Sequence, residues 1–188
     1  MMEQIAARLR QEGRQPYVIP IGASTPLGAL AFALAIAELA DQMPAPDVIV
    51  HSTSSGGTQA GLVAGCRLLG LPTRVVGISA DDSSESLRSL VSAIVDGIPK
   101  LVHLDPVELS TGTAFEVDDR FVGEGYGIPT TASREAIELT ARTEAIFLDP
   151  TYTAKAMAGL IAYIRARQLQ EGQTVLFWHT GGQVGLFA

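Results

Sequence analysis

The chain has few charged side chains and a single cysteine. Charged residues make up 18% of its 188 residues and hydrophobic residues 47%, a balance that excludes a disordered polypeptide. One cysteine, Cys66, excludes an intramolecular disulfide framework, and we expect it to be a small buried residue of a helix. The length and composition therefore predict one domain, residues 1–188, with a substantial core.

Positive charge is also scarce. The net charge is −7, which disfavours nucleic acid and an anionic membrane surface as partners. The longest apolar stretch, 27–40, is too short to span a bilayer and contains Glu38. Residues 1–15 are charged and amphipathic, unlike a signal peptide, so we expect a cytoplasmic protein.

Metal-binding patterns are missing as well. His51, His103 and His179 lack the spacing of metal ligands, and no cysteine pair exists. We expect no metal site, and His179 is as well explained by a helix cap or a core position as by a ligand role.

Short runs rich in valine and isoleucine alternate with helical stretches along almost the whole chain. Such continuously apolar strands are typical of a sheet covered on both faces, so the pattern predicts an α/β three-layer fold with a mostly parallel sheet. Residues 100–113 fit neither pattern, with room for a short helical turn after Pro106. The predicted strands are 17–19, 47–51, 74–79, 115–117, 145–148 and 174–178, and the predicted helices are 2–12, 26–42, 58–69, 84–95, 131–143 and 153–167.

One loop between a predicted strand and a predicted helix has the composition of a phosphate cradle. Its glycines let the backbone approach an anion, its hydroxyls donate hydrogen bonds, and the helix that follows directs free N–H groups to the same place. An ordinary capped helix start with a tight turn explains the same residues, and neither dinucleotide nor Walker spacing is present. The residues are Ser54, Ser55, Gly56, Gly57 and Thr58.

Further loops at the same predicted sheet edge carry small polar residues. In parallel sheets, ligands bind where the carboxyl ends of strands meet helix starts. We therefore expect one site lined by the loops 21–25, 52–58, 149–153 and 179–182.

Five segments in this order resemble one family. They are Tyr-Val-Ile-Pro-Ile-Gly-Ala-Ser at 17–24, Ser-Gly-Gly-Thr-Gln-Ala-Gly at 55–61, Gly-Tyr-Gly-Ile-Pro at 125–129, Leu-Asp-Pro-Thr-Tyr-Thr-Ala-Lys-Ala-Met at 148–157 and His-Thr-Gly-Gly at 179–182. The set resembles D-cysteine desulfhydrase and 1-aminocyclopropane-1-carboxylate (ACC) deaminase, and it covers essentially the whole chain. The resemblance implies pyridoxal phosphate as cofactor and the Rossmann-like large-domain portion of the tryptophan-synthase β-like fold.

The resemblance also implies roles for individual residues. The loop 55–58 matches the family's cofactor-phosphate loop, with Ser54 at its edge. Tyr126 and Tyr152 match tyrosines that flank the cofactor ring and substrate, although both could be amphipathic rings at a loop edge.

Two threonines indicate which branch of the family the chain resembles. Thr153 stands where the deaminases carry a glutamate near the pyridine nitrogen and the desulfhydrase-like proteins carry threonine. Thr180, followed by Gly181, matches the threonine at that nitrogen, unless 180–182 is simply a turn after a strand. A hydroxyl there leaves the nitrogen largely unprotonated, which favours the desulfhydrase branch over cyclopropane ring opening.

The family's catalytic lysine and its Ser-Asn substrate loop have no counterpart in the sequence. The chain has two lysines, Lys100 and Lys155, and the family has a lysine at the Lys155 position in addition to the one that carries the cofactor. We therefore assign no catalytic residue and interpret the chain as the C-terminal half of such an enzyme. Cofactor binding would then be non-covalent and weak.

Three functions remain open from the sequence. The chain is a lyase domain for small amino acids that is inactive alone, half of a split two-chain lyase, or a non-catalytic module that binds phosphorylated metabolites. Without the family's N-terminal segments, apolar surface or a sheet edge should be exposed. We therefore expect a homo-oligomer or a complementary N-terminal chain as partner.

Overall fold

A parallel four-stranded sheet forms the centre of the fold. The structure is a computed structural model that describes residues 1–103, 109 and 114–187. The strands lie in the order β3-β2-β1-β4, and each neighbouring pair is parallel. The predicted α/β class is confirmed. The strands are β1 (Val48–Thr53), β2 (Arg74–Ser79), β3 (Phe115–Asp118) and β4 (Val175–Trp178).

Helices cover both faces of this sheet. The helices are α1 (Met2–Gln11), α2 (Pro26–Gln42), α3 (Gly57–Leu68), α4 (Ser84–Gly97), α5 (Pro99–Val102), α6 (Thr131–Glu144) and α7 (Thr153–Arg165), with short 3₁₀ helices at Ile21–Ala23 and Gln183–Phe187. Helices α2, α3 and α4 pack together on one face, whereas α7 packs on β1 and β2 from the other and carries α6. The three-layer arrangement expected from the sequence is therefore confirmed.

Alternation of side chains along the strands divides the core into two clusters. In β1, Ile49 joins the cluster with α2, α3 and α4, whereas Val48 and Val50 join the cluster with α7. Side chains on both faces of β1 and β2 are therefore buried, as their apolar sequences predicted. Cys66 is buried in α3, as expected.

Glycines bring α2 and α3 into close contact. A Cβ atom placed on Gly61 would lie 2.2 Å from the carbonyl oxygen of Ala29. One on Gly65 would lie 2.7 Å from Cβ of Ile36. Because side chains at these positions would collide with α2, the two glycines determine how closely α3 approaches it.

Two predicted strands are wrong. Residues 17–19 are extended but unpaired among the described residues, and Tyr17 and Ile19 are 81% and 62% exposed. Residues 145–148 begin with Ala145 in the left-handed conformation and form no strand. An apolar run becomes a strand only where a neighbouring strand supplies hydrogen bonds, and neither segment has one.

The other predicted strands and helices are confirmed, with bounds that differ by a few residues. The helical turn suggested after Pro106 lies outside the described residues. Within the described ranges, none of the helices combines the length and the apolar character that a membrane crossing requires.

Close packing between α2 and α3 makes Gly61 sensitive to substitution. Gly61→Ala should lower the free energy of unfolding by about 2 kcal/mol, because the added methyl group overpacks the contact with α2. Gly185→Ala is the control, since its Cβ would meet atoms at ordinary distances of 3.5 Å and more. Urea denaturation measures both, and equal stabilities would contradict the packing argument.

Burial of His51 predicts a dependence of stability on pH. Burial lowers the pKa of His51 from 6.5 to about 4, against the opposing effect of the Ser52 carbonyl at its ring. The unfolded chain takes up a proton below about pH 6.5 that the folded chain does not, so stability falls as pH falls from that value toward 4. The loss approaches about 1.4 kcal/mol per pH unit.

Denaturation at several pH values tests this expectation. His51→Gln should flatten the slope between pH 6.5 and pH 4 because it removes the titrating group. His103→Gln should keep the slope, because His103 is exposed. A wild-type slope in the His51 variant would contradict the assignment.

Candidate functional site

A cavity of about 370 Å³ lies at the carboxyl ends of β1 and β4. The chain runs from β1 to β2 and β3 on one side, and β4 is added on the other, so the strand order reverses at β1. Parallel α/β sheets bind ligands at such a point. The lining residues are Ile21, Gly22, Ser52, Thr53, Ser54, Ser55, Gly56, Thr58, Asp149, Tyr152, Thr180, Gly181 and Gly182.

The start of α3 offers free N–H groups to this cavity. Gly56 precedes the helix in the left-handed conformation, with φ of 76°, and no side chain caps the helix. The start of α2 is capped by Thr25, which accepts a hydrogen bond from the N–H of Gly28. Because helix starts attract anions, α3 provides the polar end of the site.

The loop 22–24 packs against the start of α3. Ser24 Oγ donates to Ser55 Oγ at 2.7 Å. A Cβ on Gly22 would lie 2.3 Å from Ser55 Oγ, and one on Gly57 would lie 2.7 Å from Ser24 Oγ. Only glycine fits at these two positions. Because Ser55 Oγ accepts from Ser24, its own hydrogen is available to an acceptor in the cavity.

Further hydroxyl groups at the end of β1 lack partners. Ser52 Oγ and Thr53 Oγ1 are buried, and neither has a hydrogen-bond partner among the described residues. Ser54 Oγ, by contrast, donates to Asp81 Oδ2 at 2.6 Å. Unpaired buried hydroxyls are unfavourable unless a ligand pairs them, so this donor set fits a phosphate group.

Two tyrosines lie together beside the cavity. The hydroxyl groups of Tyr126 and Tyr152 are hydrogen-bonded, and the rings meet edge to face with centroids 5.7 Å apart. Burial and the Tyr126 hydroxyl raise the pKa of Tyr152, so its phenol stays protonated at neutral pH. Tyr152 lines the cavity, whereas Tyr126 is not among the lining residues and is connected to the site by its bond to Tyr152.

Asp149 lies in the wall of the cavity, whereas its hydrogen-bond partner Thr153 does not. The Thr153 hydroxyl donates to Asp149 Oδ1 at 2.7 Å and accepts from the Asp149 N–H at 2.8 Å. Thr153 is 1% exposed and is not among the residues that line the cavity, whereas Asp149 is. The Asp149 carboxylate also accepts the N–H groups of Thr151, Tyr152 and Thr153 at the start of α7.

The loop 149–153 was expected to line the site, but the resemblance gave roles there to Tyr152 and Thr153 and none to Asp149. An aspartate a few positions before a predicted helix start is a capping signal, which gave a way to find it. Because the Asp149 carboxylate already accepts the N–H groups at the start of α7, these groups are not available to an anionic ligand.

Two hydrogen bonds of the His179 ring fix the turn 179–182, which follows β4. Its Nε2 donates to the carbonyl of Phe147 at 3.0 Å, and its Nδ1 accepts from the Gly181 N–H at 3.0 Å. A Cβ on Gly182 would lie 2.7 Å from Asp149 Oδ1, so the turn passes close over Asp149. The turn places Thr180 and Gly181 in the wall of the cavity.

The cavity wall contains no basic side chain among the residues that line it. Lys155 is fully buried, and its ammonium donates to the carbonyls of Ala80, Val122 and Gly125. Lys100 is exposed on α5 and is not a lining residue. A phosphate would therefore be held by N–H and hydroxyl groups alone. Within the described ranges, no cluster of histidine, cysteine and carboxylate side chains could hold a metal ion.

Comparison with known proteins agrees with the resemblance inferred from the five segments. Residues 1–181 match the family described as "Pyridoxal-phosphate dependent enzyme". A crystal structure described as an ACC deaminase homologue is 36% identical with a TM-score of 0.87, and the match covers 97% of this chain and 54% of that one. The predicted resemblance is confirmed.

A more distant structure shares the fold. The processed form of threonine deaminase isoform 2 from Solanum lycopersicum is 12% identical with a TM-score of 0.58, and the match covers 94% of this chain and 48% of that one. The chain thus spans about half the length of these two proteins, and it has the tryptophan-synthase β-like fold expected from the resemblance.

The contact between Ser24 and Ser55 predicts an effect on anion binding. Ser24→Ala should weaken the binding of inorganic phosphate about threefold to tenfold, because Ser55 then loses the donor that orients its hydroxyl. Ser89→Ala is the control, since Ser89 is exposed on α4 and donates to Glu85 away from the cavity wall. Calorimetric titration measures both affinities, and equal values would contradict the orienting role.

Proposed function

The chain belongs to the family of pyridoxal-phosphate dependent enzymes, and on this premise we propose that it is the cofactor-binding domain of a D-cysteine desulfhydrase-like lyase. Its substrates would be small amino acids. The observation that carries the proposal is the start of α3, which no side chain caps, at the point where the strand order reverses. The same cavity wall contains Ser52 and Thr53, whose hydroxyls have no partner among the described residues. The chain alone would bind the cofactor without covalent attachment and would not turn over substrate.

The phosphate of the cofactor would lie at the start of α3. The N–H groups of the first turn and the hydroxyls of Ser55 and Thr58 would donate to it, with Ser54 at the edge and Gly56 and Gly57 allowing close approach. The bound cofactor supplies an electron-withdrawing ring that stabilises negative charge on the α-carbon of an amino acid.

The ring would lie between the tyrosine pair and the last turn. Tyr152 offers a neutral phenol that is held by Tyr126, and Thr180 offers a hydroxyl for the ring nitrogen. Asp149 is nearer the cavity than Thr153, but its carboxylate is occupied by N–H groups of α7. We therefore propose that the Thr180 hydroxyl contacts the ring nitrogen and that Thr153 holds the Asp149 carboxylate in place.

Neither lysine is placed to attach the cofactor. All three ammonium donors of Lys155 are bonded to carbonyls, and Lys100 lies outside the cavity wall. A nucleophilic lysine needs a free amine beside the cofactor. This is why the proposed domain lacks turnover by itself.

A second candidate is half of a two-chain lyase. It is favoured by exposed apolar surface and by an open sheet edge. Strand β4 pairs with β1 alone among the described strands, so its outer edge is open. Large apolar side chains are exposed as well, with Ile21 at 83%, Leu34 at 71% and Phe187 at 90%. A complementary N-terminal chain, or a second copy in a homo-oligomer, would cover them.

Titration of the pure chain with pyridoxal phosphate tests the proposal. We expect reversible binding that borohydride does not convert into a lysine adduct. Gly56→Ala should weaken this binding about tenfold or more, because it strains the left-handed position at the start of α3. Gly13→Ala is the matched control, since Gly13 has nearly the same φ of 77° and a Cβ atom placed on it would meet nothing within 4 Å.

Several results would contradict the proposal. Absence of binding, or equal effects of the two alanine variants, would contradict a cofactor site at the start of α3. A borohydride-fixed adduct at Lys100 or Lys155, or release of sulfide from D-cysteine by the chain alone, would show that the domain is active by itself. Turnover that appears only after addition of a polypeptide equivalent to the remaining part of the homologue would support the two-chain lyase.

A further inference from the structure

Lys155 is a buried cation that the proposed cofactor site does not use. Its side chain is 0% exposed. Its ammonium donates three hydrogen bonds, to the carbonyls of Ala80 at 3.1 Å, Val122 at 2.8 Å and Gly125 at 2.8 Å. An ammonium group has three donors, so this arrangement satisfies it completely. Burying such a charge without these bonds would be unfavourable, so the three carbonyls explain how a lysine can be buried at this position.

The three carbonyls belong to two separate segments. Ala80 follows the end of β2, whereas Val122 and Gly125 belong to the loop between β3 and α6. This loop contains three glycines with positive φ, Gly123, Gly125 and Gly127. Glycine restricts the backbone little, so such a loop has no strong intrinsic preference for one conformation. The bonds from Lys155 supply that preference.

The loop in turn carries Tyr126. Because Gly125 is bonded to Lys155, the next residue is held where its hydroxyl meets that of Tyr152. Tyr152 lines the cavity. A continuous series of contacts therefore leads from the ammonium on α7, through the loop, to the wall of the cavity.

We propose that Lys155 is a positioning residue that fixes the loop 122–127 and so holds the Tyr126–Tyr152 pair against the bound ring. This inference rests on the proposed function for its effect on the cofactor, and on the contacts alone for its effect on the loop. Lys155 makes no bond to the donors at the start of α3, and its link to that end of the site is Ala80, whose neighbour Asp81 accepts from Ser54. Because the N–H of Ala80 is also bonded to the carbonyl of Thr53, we expect the phosphate end to keep its geometry without Lys155.

Hydrogen exchange measured by mass spectrometry tests the effect on the loop. Lys155→Met keeps the length and removes the donors, so exchange in peptides that cover 122–127 should become about tenfold faster or more. Peptides that cover α3 should exchange as in the wild type. Lys100→Met, at the other lysine of the chain, should change neither. Unchanged exchange in the loop would overturn the proposal.

Ligand binding tests the effect on the site. In Lys155→Met, affinity for pyridoxal phosphate should fall about tenfold while affinity for inorganic phosphate stays the same, because the ring loses its ordered neighbour and the phosphate cradle does not. Equal losses for both ligands, or no loss for either, would overturn the positioning role. If the wild type binds neither ligand, the proposed function fails, and the exchange experiment still decides the role of Lys155 in the loop.

Chemical labelling of the wild type provides a test that needs no variant. An amine-reactive ester should modify Lys100 and leave Lys155 protected while the chain is folded. Modification of both at the same rate would overturn the proposal. Should Lys155→Met fail to fold, Lys155→Gln serves in its place. Its amide is shorter, uncharged and has two N–H donors instead of three, so exchange in the loop should still become faster and affinity for pyridoxal phosphate should still fall, by smaller factors.

Discussion

The close contact between α2 and α3 is the constraint on which the site depends. Gly61 and Gly65 allow α3 to lie against α2, and Gly57 continues the contact at the start of α3, where it meets Ser24. This packing sets the position of the start of α3, which no side chain caps. The hydroxyl of Ser55 and the N–H groups of α3 then converge because the backbone leaves them no other arrangement.

Helix α7 organises the opposite side of the cavity by different means. Its start is closed by the Asp149 carboxylate, which accepts three backbone N–H groups and disfavours an anion there. Within the first turn of the same helix, Lys155 restrains the glycine-rich loop that carries Tyr126. A single helix thus directs the phosphate away from itself and places the tyrosines that would meet the ring.

Much of the fold was predictable from the sequence because its signals are local. Short apolar runs predicted β1 to β4, and the helical stretches that alternate with them predicted the main helices. The segments 17–19 and 145–148 show the same local pattern, but whether a run pairs depends on a neighbouring strand that the pattern does not contain. The two wrong strands follow from this difference.

The site was predictable in part for the same reason. The loop 54–58 carries its own chemistry, and the structure places Ser54, Ser55, Gly56 and Thr58 in the cavity wall. Whether Asp149 or Thr153 lines the cavity depends on how the turn folds back at the start of α7. The role of Lys155 depends on carbonyls 30 to 75 positions away in the sequence, which no local pattern reveals.

The central claim is that the start of α3 binds the phosphate of the cofactor through neutral donors and that no lysine attaches the ring. A crystal structure of the chain grown with pyridoxal phosphate tests this most directly. We expect the phosphate at the N–H groups of Gly57 and Thr58 within reach of Ser55 Oγ, the ring beside Tyr152, and no covalent bond to protein. A phosphate bound elsewhere, or a ring joined to Lys155, would contradict it.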